Sequence, residues 1–576
     1  METKTYPEFS MNYPLLLTTF MKRPVNLYPD DIGMVYRNPD TAEYFRFTWR
    51  EWHERTCCLA NALKNTLGVN PGKPGEPGDR VATMALNHHY HMELYYAVPC
   101  SGAVLHTINM RLSLDHIVFT IKHSEDKILF FDDTFLPMVE RIYDQIKDIV
   151  EKFVYISDKP GLPETKIKNL YHYNAMIMDQ PPEFEWPYLH EDTYATLVYT
   201  TGTTGLPKGV MFSHRQLYLM ILHTGYSLNF STDPDRLTLG ENAVPLLNTP
   251  LFHVHAWGAP FSAVYNAHKI VLAGRFEVES FCELVEKEKV TSAGVVPTVL
   301  AMLVESDLLQ RYDMSSLRTL GVGGGALPLG LKLKAEKMLP GFSAGSGYGM
   351  TETAPSTIGG FIKRYMWDWP EEELDQVRVK TGMPITGLEV KVADDKGNPV
   401  PQDNQAIGEI CIRGPWVMKE YYKNPEKTEE VWYDGWFHTG DVAKVDEHGY
   451  ITIADRMKDM IRSGAEMVPT VLLENLTATA EFVLEATYFG VPDKIWGQRP
   501  MALVTLVPGA TQNEKDVYQY LLDEGVETGK ITNWMLPDYI VITDDIPKTS
   551  VGKFNKLAIK DNLDEFLEKA RSTKEF

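Results

Sequence analysis

The chain is built on one recurring unit, a short apolar run that ends in a turn and gives way to a segment of helical spacing. GDRVATMAL (78–86), KILFFDD (127–133), ATLVYT (195–200), ENAVPLLNTPLFH (241–253), HKIVLAG (268–274), VTSAGVVP (290–297) and LRTLGVGGGALP (317–328) each read as a strand entering a turn. FTWREWHERTCCLANALKNTL (47–67), RQLYLMILHTGYSL (215–228) and VESFCELVEKEK (278–289) read as the helices between them, with apolar residues three and four apart. Strands alternating with helices predict parallel sheets covered by helices. Beyond about residue 380 the texture changes. LEVKVADDKGNPV (388–400), GEICIRGP (408–415) and AKVDEHGYITIADR (443–456) read as short antiparallel strands with tight polar turns. The last 120 or so residues form a small mixed unit. In it TYFGVPD, MALVTLVPG and YIVITDD are strands, and NEKDVYQYLLDEG is a helix capped by Asn513 or a neighbour. The boundary is expected at Asp455–Lys458, giving domains 1–455 and 456–576.

With 576 residues the chain exceeds what one hydrophobic core can organise. Its net charge of −22, from 56 basic and 78 acidic residues, disfavours non-specific nucleic-acid binding. An anionic substrate must instead find local donors and cations. Five cysteines, Cys57, Cys58, Cys100, Cys282 and Cys411, lack metal-ligand spacing and predict reduced thiols in a cytoplasmic protein. No segment reads as a signal peptide, and no run of about 18 apolar residues predicts a membrane span. Peripheral membrane contact and a homodimer both stay open.

The densest local signal is YTTGTTGLPKGVMFSH (199–214), which follows an apolar strand. Glycine and threonine are common in plain surface loops. The same residues also suit a phosphate cradle, with converging backbone N–H groups, hydroxyls and a lysine. The spacing differs from a P-loop: Gly202 and Gly205 are too close together, and Lys208 is followed by Gly209. Read as strand, loop and helix, the stretch would set a helix N-terminus against an anion. SAGSGYGMTET (343–353) reads as a second glycine-rich loop, either a turn or a seat where Tyr348 stacks on a base and Glu352 reaches a metal. GWFHTGDVAKV (435–445) offers Asp441, either a turn aspartate or an acceptor for ribose hydroxyls. DRMKDMIRSGAEMVP (455–469) and IPKTSVGKFNK (546–556) are polar connectors on their own.

Together, YTTGTTGLPKGV, GYGMTET, TGD, DRMKD and PKTSVGK closely resemble the adenylate-forming superfamily, in its motif order and over residues 20–565. Bacterial and archaeal fatty-acyl-CoA synthetases are the nearest likeness, through TPLFHVHAWGAP (249–260) and FIKRYMWDWPEEELDQVRVKTGMP. One departure is Gly464-Ala465-Glu466, where the family usually has Gly-Gly-Glu.

The resemblance implies a large N-terminal domain of two helix-covered sheets with a small barrel-like subdomain, and a small mobile α+β C-terminal domain. It implies an ATP-dependent ligase that converts a medium- or long-chain fatty acid to acyl-AMP and then to the coenzyme A thioester. An aromatic or alicyclic acid, or another acceptor, is the alternative. Thr200, Thr201, Gly202, Thr203, Thr204, Gly205 and Lys208 would hold the leaving phosphates as a lid. Thr201 and Glu352, beside Thr351, would hold Mg²⁺. Gly324, Gly325, Tyr348 and Gly349 would surround adenine, and Asp441 and Arg456 would take the ribose. Lys553 would meet the attacking carboxylate and the α-phosphate. His253, Trp257 and Gly325 would wall the acyl pocket, with Trp257 as a gate, and Lys458 would be the hinge.

Overall fold

The computed structural model describes residues 12–200, 206–230, 240, 242–464, 466–548 and 554–576. Two large sheets carry residues 32–384. The seven-stranded sheet runs Leu170–His172, Lys152–Ile156, Asp126–Asp132, Arg80–Met84, Val104–Thr107, Tyr194–Thr200 and Lys208–Ser213. All its pairs are parallel except the last. The nine-stranded sheet is parallel through its middle, where Ser343–Gly349, Thr319–Val322, Ser292–Val295, Pro245–Leu247, Ile270–Leu272 and Ile32–Arg37 lie side by side. Its outer pairs are antiparallel.

Helix Trp49–Asn65 shows how the sequence builds the cover. Thr48 and Glu51 close a capping box at its start, satisfying N–H groups that the first turn leaves unpaired. Trp49, Trp52, Leu59 and Leu63 form its inward face, and all are buried. The largest core cluster lies between the two sheets and extends to Ile410, Ile412 and Phe437 of a third, antiparallel sheet of five strands. That sheet is the antiparallel region expected beyond residue 380, and among the described residues it is open, with Glu389–Ala393 at one edge. A six-stranded mixed sheet follows, from Ile461–Ser463 to Arg571–Ser572, with its own two core clusters. The chain passes from the third sheet to the fourth between Arg456 and Ile461. Of the candidates it is Asn513 that caps helix Glu514–Leu521, and its own N–H donates in return to Asp516.

Two local expectations are corrected. The glycine-threonine stretch does not pass from strand to helix. Lys208–Ser213 returns as an antiparallel strand, pairing Lys208 with Thr200, and the helix begins only at His214. The run Gly-Val-Met-Phe alternates between two packed faces and is a better strand than turn. The helix terminus is therefore six residues removed from Lys208 in sequence. Likewise 343–349, read as a loop, is a strand paired with Thr319–Val322 and Ser356–Gly359.

Candidate active site

A cavity of about 1710 Å³ opens where the carboxyl ends of the nine-stranded sheet's parallel strands meet the third sheet and residues of the C-terminal unit. The carboxyl end is where open parallel sheets place their ligands, because strands give way there to adaptable loops. Thr200, Lys208, His253, Trp257, Gly324, Gly325, Tyr348, Gly349, Thr351, Glu352, Asp441, Arg456 and Lys458 all line it. The fold thus brings together every described residue to which the resemblance gave a site or hinge role. Thr201, Gly202, Thr203, Thr204, Gly205, Ala465 and Lys553 lie outside the described residues. Phe554 and Lys556, which follow Lys553, line the same cavity.

One side of the cavity is an acceptor seat. Asp441 and Arg456 face each other across adjacent strands, with Arg456 Nε 3.2 Å from Asp441 Oδ1. The Tyr348 hydroxyl donates to Asp441 Oδ2 at 2.6 Å. Burial and the Asp441 charge push the Tyr348 hydroxyl well above its ordinary pKa, so it remains a donor. The result is a carboxylate only 6% exposed, fixed at both oxygens and flanked by an aromatic face. Such a group can accept from a pair of hydroxyls, while the ring offers a stacking surface.

The Asp441 turn is braced by residues that the sequence motifs did not flag. Glu409 Oε1 accepts from the Gly440 N–H at 2.8 Å, and its Oε2 lies 2.8 Å from His438 Nδ1. The Tyr433 ring stacks on His438 with centroids 3.5 Å apart. Cys411 pairs with His438 across the strands, Sγ to Nδ1 3.5 Å. Burial and then Glu409 raise that thiol to about 11, so it sits protonated within the brace. Glu409 and Cys411 are two apart on one strand and face His438 on the next; only the pairing of strands reveals the group.

A second seat surrounds Glu352, which is 6% exposed. The Tyr421 hydroxyl donates to its Oε1 at 2.7 Å. Lys208 Nζ lies 4.0 Å from the centre of the Tyr421 ring. Burial holds the Lys208 ammonium below its usual pKa, with Glu352 opposing that shift. The Thr200 hydroxyl oxygen is buried with no hydrogen-bond partner among the described residues. A buried donor and cation beside a hard carboxylate suit phosphate oxygens and a hard divalent cation. Tyr421 lies 69 residues from Glu352 in sequence, and no motif announced it. Gly349, which also lines the cavity, has a packing reason to be glycine. A Cβ there would fall 1.6 Å from the Pro355 carbonyl oxygen, so backbone packing alone requires glycine.

The third region is apolar and begins at Trp257. Val254, His255, Ala256 and Trp257 all have positive φ, at 32°, 57°, 42° and 59°, and Gly258 follows at 80°. Each such L-residue costs about 1–2 kcal/mol, and runs of this kind mark functional positions. His255 anchors the turn by hydrogen bonding to Thr196, Nε2 to Oγ1 2.8 Å. Burial lowers its pKa to about 3, so the anchor is neutral. The turn lays the Trp257 ring on the sheet: Cβ atoms at Gly294 and Gly323 would both fall 3.1 Å from it. His253 lines the cavity beside it, half-buried.

The comparisons with known proteins agree with this geometry. The family model described as "AMP-binding enzyme" matches residues 21–422, and the one for its C-terminal domain matches 472–553. The chain belongs to the AMP-binding enzyme family. A long-chain-fatty-acid–CoA ligase of Thermus thermophilus is 39% identical to this AMP-binding enzyme over 559 residues, 96% of this chain and 97% of that protein. A medium-chain-fatty-acid–CoA ligase of Ectopseudomonas oleovorans is 33% identical over 92% of this chain and 93% of that protein. A solved anthranilate CoA ligase in complex with anthranoyl-AMP superposes with a TM-score of 0.82, covering 97% and 99% of the two chains at 24% identity. At that identity the match establishes the shared fold, with its large N-terminal and small C-terminal parts. No helix among the described residues is long and apolar enough to cross a membrane.

Proposed function

We propose that this AMP-binding enzyme is an acid–thiol ligase that activates a straight-chain fatty acid with ATP and transfers the acyl group to coenzyme A. The observation that carries the reading is one continuous cavity. It joins the Asp441–Arg456–Tyr348 seat, the Glu352–Lys208 seat and the apolar region behind Trp257. The Thermus and Ectopseudomonas relatives, named for fatty acids, support it.

Asp441 and Arg456 hold the ribose, and Tyr348 with Gly324 and Gly325 takes the adenine. The carboxylate of the acid attacks the α-phosphorus, the bond to the bridging oxygen breaks, and pyrophosphate leaves. Both reactants are anionic, so catalysis is chiefly positioning and charge neutralisation. Lys208 and the Thr200 hydroxyl meet the departing phosphates, together with Thr201, Thr203 and Thr204. Glu352 and Thr201 would hold Mg²⁺, which supplies further charge neutralisation there. Lys553 contacts the attacking carboxylate and the α-phosphate, as a compact cation can. In the second half-reaction the thiol of coenzyme A attacks the acyl carbonyl, AMP leaves and the thiol proton is released. Lys553 must then be out of the way. A division at residues 455 and 456, with rotation of the C-terminal unit about Lys458, meets that demand.

Acid-dependent ATP–pyrophosphate exchange, followed by assay for thioester on adding coenzyme A, tests the reading. A panel of straight-chain and aromatic acids identifies the substrate class. Exchange without thioester would replace coenzyme A by another acceptor; no exchange with any acid would refute the proposal. Lys553→Ala is expected to lose exchange by about 10²-fold, the scale of one preorganised electrostatic group, yet still convert supplied acyl-AMP to thioester.

A further inference from the structure

Side chains on a strand alternate between faces. In the three central strands one set, Ala293, Val295, Leu320, Val322 and Ala344, packs into the core beneath the sheet. The other set faces the cavity and is small throughout. Cross-strand register places Gly294, Gly321 and Gly345 in one row, and Ser292, Thr319 and Ser343 in the row below. Gly323, under Trp257, and Gly347 lie two residues above, at the mouth. All of these residues line the cavity, as do Met220, Ile221 and Leu228 of the facing helix His214–Phe230.

Glycine in a strand interior costs roughly 0.5–1 kcal/mol against alanine and calls for a reason. Gly294 and Gly323 have one, because Trp257 rests on them. Gly321 and Gly345 have none among the described residues. A Cβ on either would meet no atom of the described residues within 4 Å, and neither shows positive φ. Gly321 is exposed although its strand is flanked on both sides in a nine-stranded sheet. A floor kept empty where the fold gains nothing from emptiness is shaped for a ligand.

The geometry points to a length ruler for a straight, unbranched acyl chain of medium length, in an inference that rests on the proposed ligase function. The mouth row lies beside Gly324 and Gly325, where the acyl carboxyl must sit to reach the α-phosphate. At about 3.3 Å per residue the glycine row lies about 6.6 Å below the mouth, and the hydroxyl row about 13 Å. An extended alkyl chain of tetrahedral carbons with bonds of about 1.5 Å advances about 1.25 Å per carbon. It reaches the glycine row near the sixth carbon and the hydroxyl row near the eleventh. Beyond that row stands Arg318, exposed at the strand's amino end. Longer apolar tails therefore leave the apolar trough for polar surroundings, and acids of about eight to twelve carbons fill it.

The test is kcat/KM for acid-dependent AMP release with even-numbered acids from four to sixteen carbons, for the wild type, Gly321→Val and Thr319→Leu. The wild-type optimum is expected between octanoate and dodecanoate. Gly321→Val should move it to hexanoate or shorter. Thr319→Leu should act deeper, lowering dodecanoate at least about tenfold relative to octanoate, the discrimination a misfitting methylene can impose. ATP-induced thermal stabilisation of each variant reports an intact nucleotide seat. A variant that keeps this stabilisation but loses the same factor at every length overturns the ruler. So do equal shifts from the two substitutions, or a wild-type optimum at hexadecanoate. Wild-type failure with every acid would instead overturn the ligase reading itself.

Discussion

Removing one oxygen atom tests whether Glu352 is held in place for catalysis. In Tyr421→Phe the ring stays, so the Lys208 ammonium keeps its aromatic partner 4.0 Å away. What disappears is the hydroxyl that donates to Glu352 Oε1 at 2.7 Å. Tyr421 is 3% exposed and Glu352 6%, so water cannot readily replace the lost donor. Burial, reinforced by the Glu352 charge, raises the tyrosine pKa far above neutrality, so the wild-type hydroxyl is a donor throughout the working range. A hydrogen bond to a charged group contributes about 1.5–3 kcal/mol. If Glu352 must be ionised and fixed when charge develops on the phosphates, that energy appears in the barrier. At 1.36 kcal/mol per decade, kcat/KM for ATP–pyrophosphate exchange should fall between about tenfold and about 150-fold. The loss should be accompanied by a higher Mg²⁺ requirement. Exchange should be measured across a Mg²⁺ titration, with thermal unfolding of the same preparations. Exchange within twofold of wild type, with Glu352→Gln severely impaired, would refute the claim that Tyr421 fixes the carboxylate.

Glu409→Ala removes the acceptor of the Gly440 N–H and should weaken ATP binding with little effect on the acid KM, because it loosens the turn that aims Asp441; titration calorimetry with a non-hydrolysable ATP analogue measures this, and unchanged affinity would show the brace to be unnecessary. Trp257→Ala should change the ranking of acids more than the ATP KM, since the ring rests on the floor of the trough; an unaltered ranking would make it a packing residue. Lys458→Pro fixes φ near −65° and removes an N–H, and is expected to retain acyl-AMP formation while slowing thioester formation severely. Normal overall turnover in that variant would place the pivot elsewhere.

The sequence disclosed what is local. Thr48 and Glu51 cap a helix from three residues apart, and Asn513 does the same from two, through the Lys515 N–H. The apolar runs at 126–132 and 270–272 alternate with helices as parallel sheets require. It misled where local preference and tertiary demand disagree. Four glycines in 341–349 argue against a strand, yet neighbouring strands and an open cavity make one of Ser343–Gly349. Little in Val254-His255-Ala256-Trp257 suggests a left-handed turn, because of the four residues only histidine is enriched in that region. The motifs and the resemblance they carry pointed to Asp441, Arg456, Glu352 and Tyr348, which line one cavity. Their supports, Tyr421, Glu409 and His438, become visible only once distant strands pair.

The empty floor at Gly321 and Gly345 also bears on how such an enzyme drifts. Most changes to a binding site compete with stability, since the residues serve both. Here a methyl group at either position enters open space and reduces the freedom of the unfolded chain, a gain of about 0.4–1 kcal/mol where the backbone allows it. Mutational pressure toward a sturdier protein therefore runs in the direction of a shorter trough. If the trough measures chain length, those glycines persist only while selection rewards use of the longer acids. A lineage that turns to compact acids can shed them with a gain in robustness, and one that returns to long chains must surrender it.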